Sequence, residues 1–187
     1  MNAVVLLVGF FAGAIPFGVI VAKQRGVDIR KAGSGNIGAT NVTRVMGLGA
    51  GFLVLLLDAL KGVAAVMLAT RFSGFDPIIA MAGFAAILGH CFSPFLGGKG
   101  GKGVATALGV FVVIAPALVF VAVGVFLVVA GRWRIPALGS LAGVGTAAVY
   151  ALATHQPADV KLLVIATFVL LVYTHRGNLA RLITIDR

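Results

Sequence analysis

The chain has 187 residues, 60% of them hydrophobic, with a mean hydropathy of +1.12; that leaves too little polar surface for a soluble domain and implies an integral membrane protein. Its formal charge of +10 does not point to nucleic acid, because the basic residues lie in short loops between apolar runs, as positive-inside bias and contact with anionic membrane lipid require. A single cysteine, Cys91, excludes an internal disulfide and any cysteine-based metal cluster.

A helix needs about 20 apolar residues to cross the hydrocarbon core. In chain order the sequence predicts spans over 3–22, 48–70, 77–96, 104–130, 135–153 and 160–174. No basic region precedes the first run, so it reads as a retained span rather than a cleaved signal peptide. Gly9 and Gly13 within it have the small-xxx-small spacing that permits close helix packing. The run 104–130 is too long for one untilted pass, and Pro116 in its middle breaks or kinks a helix.

Charge parity decides how to divide that run. With the N-terminus outside, Lys23, Arg25, Arg30, Lys31, Arg44, Lys99 and Lys102 fall on the cytoplasmic side. Two passes broken near Pro116 add Arg132, Arg134, Arg176, Arg181 and Arg187, leaving only Arg71 and Lys161 outside, beside Asp76 and Asp159. A single pass would put the later cations outside. The expectation is an all-α integral membrane protein: a seven-transmembrane-helix bundle with short fourth and fifth segments, N-terminus outside and C-terminus cytoplasmic. Residues 1–187 form one membrane-embedded domain without a clear internal repeat. About a dozen residues span only ~18 Å, so each short segment must pack within protein or thin the bilayer. The polar loops 23–47, 97–103 and 175–187 then share the cytoplasmic face with the short loop 131–134.

The stretch Ser34-Gly-Asn-Ile-Gly-Ala-Thr-Asn-Val-Thr-Arg44 is the most polar segment of this oily chain. Amides freed at Gly35 and Gly38, the short polar side chains of Ser34, Asn36, Thr40 and Asn41, and the Arg44 guanidinium are the groups that hold a phosphate. A second anion loop, Lys99-Gly100-Gly101-Lys102-Gly103, opens a helix that contains Thr106. It is not a P-loop, since Gly103 rather than Ser or Thr follows Lys102 and no strand precedes it. A third group, His175, Asn178 and Arg181, follows the last span; His175 and Asn178 share a helical face.

Asp58 and Lys61, at i and i+3 inside the second span, read as a structural ion pair supporting the site. His90 is a candidate for orienting the glycine-lysine loop. His155 and Asp159 are separated by three residues, one short of a His-x4-Asp acyltransferase pair, and fall on the outer side. No Gly-x-Ser-x-Gly elbow occurs, and scattered histidines and aspartates supply no metal set.

Two phosphorylated substrates brought together repel by several kcal/mol unless cations intervene. Arg44, Lys102 and Arg176 or Arg181 are placed to supply them. The chain has no glutamate and five aspartates, which removes the usual general bases and calls for an activated donor. An acyl phosphate fits: its phosphate leaves readily and can accept the proton of an attacking hydroxyl. A transporter for a phosphorylated metabolite is the alternative, but it requires polar residues through to both faces, whereas here they cluster on one.

These motifs, with Asp58-Ala-Leu-Lys-Gly62, Gly89-His90 and the His175…Asn178…Arg181-Leu182 end, identify a resemblance that covers essentially the whole chain. The chain resembles the bacterial acyl-phosphate-dependent glycerol-3-phosphate acyltransferases of the membrane-embedded type. The resemblance implies a seven-helix bundle that transfers a fatty acyl group from acyl phosphate to the 1-position of glycerol 3-phosphate, giving lysophosphatidic acid, without a cofactor or metal. It implies phosphate binding with an essential serine and arginine at Ser34 and Arg44, glycerol 3-phosphate binding at Lys102 and its glycines, and important roles for His175 and Asn178. A soluble acyl-phosphate-producing enzyme is implied as a functional partner. Related chains often read Ser-Leu-(Gly/Ser)-Ser where this one has Ala137-Leu-Gly-Ser140, leaving Ser140 as the candidate substrate contact of that stretch.

Overall fold

The computed structural model describes residues 2–74 and 76–185, with side chains described as far as Arg181. Arg187, expected among the cytoplasmic cations, lies outside the described residues. Among those described, regular structure is entirely helical. The chain divides into two compact units, Met1–Ile114 and Ala115–Arg187.

The first unit contains α1 (Asn2–Ala14), α2 (Phe17–Lys23), α3 (Ala39–Met46), α4 (Leu48–Phe72), α5 (Asp76–Cys91), a 3₁₀ turn (Pro94–Leu96) and α6 (Val104–Ile114). Helix α1 packs on α5 and α4, and α4 packs on α3, α5 and α6. Glycines set these approaches. A Cβ on Gly9 or Gly13 of α1 would meet the Ala82 or Ala86 carbonyl of α5, and one on Gly62 or Gly109 would strike the facing backbone of α6 or α4. The small-residue seam expected at Gly9 and Gly13 is therefore a helix–helix contact.

The expected first span, 3–22, is two helices. Pro16 has no N–H to continue the ladder and adopts φ −90°, ψ 70°. The carbonyls exposed at the break find side-chain donors: Ser93 Oγ donates to Ala14 O at 2.6 Å and Lys61 Nζ to Ile15 O at 3.0 Å. The polar stretch 23–47 likewise contains a helix, α3, so Thr40, Asn41 and Arg44 are helical residues rather than loop residues.

The second unit contains α7 (Pro116–Trp133), α8 (Pro136–Ala153) and α9 (Ala158–Ile185), with α8 packed on both α7 and α9. Gly143 brings α8 against the Ala122 carbonyl of α7. Helix α9 continues well past the expected span end at 174, so His175 and Asn178 share a helical face as expected, and Arg181 lies on the same helix.

The chain breaks at Ala115, as Pro116 predicts. The two segments flanking it differ, however. Helix α6 has 11 residues, about 17 Å, whereas α7 has 18, about 27 Å. The fifth segment is therefore not short, because it runs on through Gly131 to Trp133. Six helical stretches are long and apolar enough to cross a membrane: 2–23, Leu48–Phe72, Asp76–Leu96, Pro116–Trp133, Pro136–Ala153 and Ala158–Arg181. Their outward faces carry Leu48, Phe52, Phe120, Leu127, Leu162 and Val169, all exposed, as lipid contact requires.

Candidate active site

The Ser34–Arg44 segment is organised by one side chain. Asn41 sits in the first turn of α3, 2% exposed. Its Oδ1 accepts from the Ser34 amide at 2.8 Å, and its Nδ2 donates to the carbonyls of Asn36 at 2.8 Å, Ala32 at 3.0 Å and, more weakly, Ile29 at 3.4 Å. Gly33 has φ +58°, and a Cβ there would collide with the Asn41 amide and Val45, so only glycine lets the loop wrap this closely. Asn36 Oδ1 accepts from the Gly38 amide at 2.9 Å. Both carboxamides are thus engaged by the loop's own backbone. The first N–H groups of α3, at Ala39 and Thr40, have no intrahelical partner. Ser34, Thr40 and Arg44 are exposed, while Gly35, Asn36 and Gly38 are half-buried.

Beneath this segment lies an apolar cluster of Ile29, Ile37, Val42, Val21, Ala50 and Val54, against which Leu96 also packs. Leu96 ends the 3₁₀ turn that leads into the glycine-lysine loop, so the two loops share a floor. Asp28 stands on the outer side, paired with Arg30 at 3.4 Å and Lys31 at 3.9 Å. Desolvation raises its carboxyl, but the Arg30 hydrogen bonds and the Arg30 and Lys31 charges outweigh that and hold it below the ordinary carboxylate value.

The glycine-lysine loop is tied to the end of α5. The Gly100 amide donates to Cys91 O and the Gly101 amide to His90 O, each at 3.0 Å. Those two amides are therefore occupied, whereas the N–H groups that open α6, from Val104 to Thr106, have no intrahelical partner. Gly101 is buried against the His90 ring; a Cβ there would run into Nε2. Lys99 is exposed, Gly100 and Lys102 are half-buried, and Gly103 and Thr106 are buried. Thr106 Oγ1 makes no hydrogen bond within the protein.

Asp58, Lys61 and His90 lie behind this loop, 1%, 5% and 3% exposed. Asp58 Oδ1 is 2.9 Å from Lys61 Nζ and 3.6 Å from His90 Nδ1. The first is an ion pair and the second is longer still; neither has hydrogen-bond geometry, so Asp58 Oδ1 and His90 Nδ1 are both buried without a hydrogen-bond partner among the described residues.

In the second unit, His175 is buried and its Nδ1 lies 2.8 Å from Leu171 O. A carbonyl only accepts, so Nδ1 carries a proton. Asn178 is half-buried and Arg181 exposed. Arg176 lies over the Tyr173 ring, 4.1 Å from its centroid, and donates to Tyr173 O at 2.8 Å. Ser140 Oγ donates to Pro136 O at 2.9 Å, one turn back. Among the described residues no group of three or more His, Cys, Asp or Glu side chains is positioned to hold a metal ion.

Sequence reasoning missed Ser93 and the helix break it secures. Pro16 was the available signal, and a serine whose partner is 79 residues away has no local one.

The family model described as glycerol-3-phosphate acyltransferase matches residues 3–185. A glycerol-3-phosphate acyltransferase of Myxococcus xanthus is 47% identical over 97% of this chain and 96% of its own. One from Aquifex aeolicus is 39% identical, with 98% and 97% covered. Among solved structures, PlsY, an integral membrane glycerol 3-phosphate acyltransferase, superposes in its glycerol 3-phosphate form with a TM-score of 0.92 at 38% identity, covering 98% of this chain and 92% of that one. Its lysophosphatidic acid form gives 0.91 at the same identity and coverage.

Proposed function

The chain belongs to the glycerol-3-phosphate acyltransferase family, integral membrane enzymes that acylate glycerol 3-phosphate, and on that premise we propose its donor, its membrane orientation and the roles of its residues. The donor is acyl phosphate, and the 1-hydroxyl attacks its carbonyl carbon directly. The bond from the acyl carbon to the phosphate oxygen breaks, phosphate leaves with the electron pair, and lysophosphatidic acid forms. The observation that carries this reading is the disposition of the acids. Asp28 is paired with Arg30 and Lys31, and Asp58 is buried against Lys61. Neither is disposed as a general base, so the donor must bring its own leaving group and proton acceptor.

In this reading Arg44, Ser34, Thr40 and the amides opening α3 hold the donor phosphate, while Asn36, Asn41, Gly35 and Gly38 shape the loop. Lys102, Lys99 and the amides opening α6 hold glycerol 3-phosphate, with Gly100, Gly101 and Gly103 giving the backbone its path. The cations also stabilise developing oxyanion charge, and positioning supplies much of the rate. Resemblance to the family supports important roles for His175 and Asn178; Arg181 is a cation at the lipid headgroups or the substrate. The chemistry needs no cofactor or metal. Membrane lipid surrounds a single domain with seven spanning segments, the N-terminus outside and the C-terminus and active site at the cytoplasmic face. A soluble enzyme supplies the acyl phosphate.

The test uses purified protein in lipid with labelled glycerol 3-phosphate and either acyl phosphate or acyl-CoA, with no metal added. Lysophosphatidic acid from acyl phosphate alone supports the donor assignment; product from acyl-CoA alone overturns it. A correctly folded Arg44→Ala protein is expected to be inactive, and full activity would sink the phosphate-loop assignment.

A further inference from the structure

The buried trio of Asp58, Lys61 and His90 behind the glycine-lysine loop is an expensive thing to build into a membrane protein. Charges taken from water lose several kcal/mol of solvation, and intramembrane ionisable groups generally serve a site. Leu, Met and Phe of similar volume would fill the same space in an apolar chain. What the trio does beyond filling space follows from its contacts. Asp58 faces two groups on different helices: Lys61 on its own helix α4 and His90 at the end of α5. The opposite edge of the His90 ring, Nε2, packs against Gly101, and the His90 carbonyl accepts the Gly101 amide. The next residue along the chain is Lys102. Lys61 in turn reaches across to Ile15 O at the helix break. The imidazole is therefore wedged between a fixed carboxylate and a glycine with no side chain to yield.

We propose that Asp58, through His90 and Gly101, is a positioning residue that sets where Lys102 is presented to glycerol 3-phosphate, with Lys61 fixing the carboxylate. The proposal rests on reading the glycine-lysine loop as the glycerol 3-phosphate seat. None of the trio touches substrate. Its effect is selective: it governs acceptor binding and leaves the donor loop, which is braced separately by Asn41, undisturbed.

The test is steady-state kinetics of the lipid-reconstituted enzyme, varying each substrate in turn. Asp58→Asn is expected to raise KM for glycerol 3-phosphate about tenfold, with KM for acyl phosphate within about twofold of wild type. A purely structural role would instead lower apparent kcat with the folded fraction and move neither KM. The double variant Asp58→Asn/Lys61→Met removes both charges. It is expected to recover the thermal stability that the unpaired lysine costs the single variant while keeping the raised KM. Gly101→Ala, which pushes on the same contact without altering any charge, is expected to raise the same KM. In a Lys102→Ala background neither Asp58→Asn nor Gly101→Ala should add to the defect, because both act through that lysine. If Asp58→Asn does not fold, the Gly101→Ala and Lys102→Ala cycle decides alone. Unchanged KM for glycerol 3-phosphate in active variants, equal shifts in both KM values, or additive defects with Lys102→Ala would overturn the proposal. A wild-type protein that turns over acyl phosphate but not glycerol 3-phosphate would overturn the functional reading and this proposal with it.

Discussion

Replacing Asn41 with alanine is expected to open the 29–38 segment without unfolding the bundle. Its carboxamide accepts from the Ser34 amide at 2.8 Å and donates to three carbonyls, the two short bonds going to Asn36 at 2.8 Å and Ala32 at 3.0 Å. Each net hydrogen bond contributes about 1 kcal/mol, and a buried partner left unpaired costs about 1–3 kcal/mol. Ser34 is exposed and regains water at its N–H, which puts that loss at the low end. Ile29 is fully buried, so its carbonyl stays dry. Together the losses come to about 3 kcal/mol, or ~150-fold in the opening equilibrium. Hydrogen exchange read by mass spectrometry, on protein in lipid nanodiscs, should show the loop amides exchanging faster by about that factor, with α4 and α5 unchanged. Asn41→Asp keeps the acceptor, loses both donors and sets a carboxylate against three carbonyls, so its effect should be at least as large. Unchanged loop protection in both variants would refute the bracing argument; a milder effect of aspartate than of alanine would show that the donated bonds contribute nothing.

Ser140→Ala should leave both KM values within about twofold and stability within about 1 kcal/mol, because the hydroxyl already bonds its own helix; a large rise in either KM would make Ser140 a substrate contact. Gly109→Ala drives a Cβ into the Ala59 carbonyl of α4 and should cost about 1–3 kcal/mol in a detergent melt. Gly49→Ala, with open space at the same atom, should instead stabilise by up to ~1 kcal/mol, and equal effects at the two sites would refute the close-packing account. Ser93→Ala leaves the Ala14 carbonyl unpaired at the helix break and should cost about 1–3 kcal/mol, read as a lower melting temperature; no shift would mean that water or Lys61 takes over.

Much of this architecture is legible in the chain because hydrophobic run length and proline chemistry are local. The break at Ala115 follows from Pro116 and from run length. The extra length of α7 was not foreseen, because Gly131 and Arg132 were read as loop although a helix end tolerates both. The split at Pro16 escaped because the run around it is uniformly apolar, and hydropathy is blind to a missing N–H. Helix α3 is hard to see because it is short and lies in a polar stretch, although Ala39, Val42, Val45 and Met46 form an apolar stripe that packs on the cluster beneath it. At the site, residue types pointed to anion binding, but which amides face outward depends on long-range bonds such as Gly100 to Cys91 and Gly101 to His90. Asn41 looked like a ligand because a carboxamide in a glycine-rich loop is chemically able to be one. Only its burial shows that the loop itself occupies it.

The same distinction bears on where the acceptor's proton goes. In a serine hydrolase a buried carboxylate behind the histidine both orients the ring and stabilises its protonated form. Here Asp159 opens α9, 16 residues before His175 on the same helix and hence ~24 Å away along it, and the ring is oriented by the Leu171 carbonyl instead. A carbonyl fixes the tautomer as well as a carboxylate does, but it brings only a dipole to balance an imidazolium. The donor phosphate gains negative charge as its bond to the acyl carbon breaks, and it becomes a better acceptor as the reaction proceeds. In the proposed reaction the acyl phosphate therefore brings its own proton acceptor to the site.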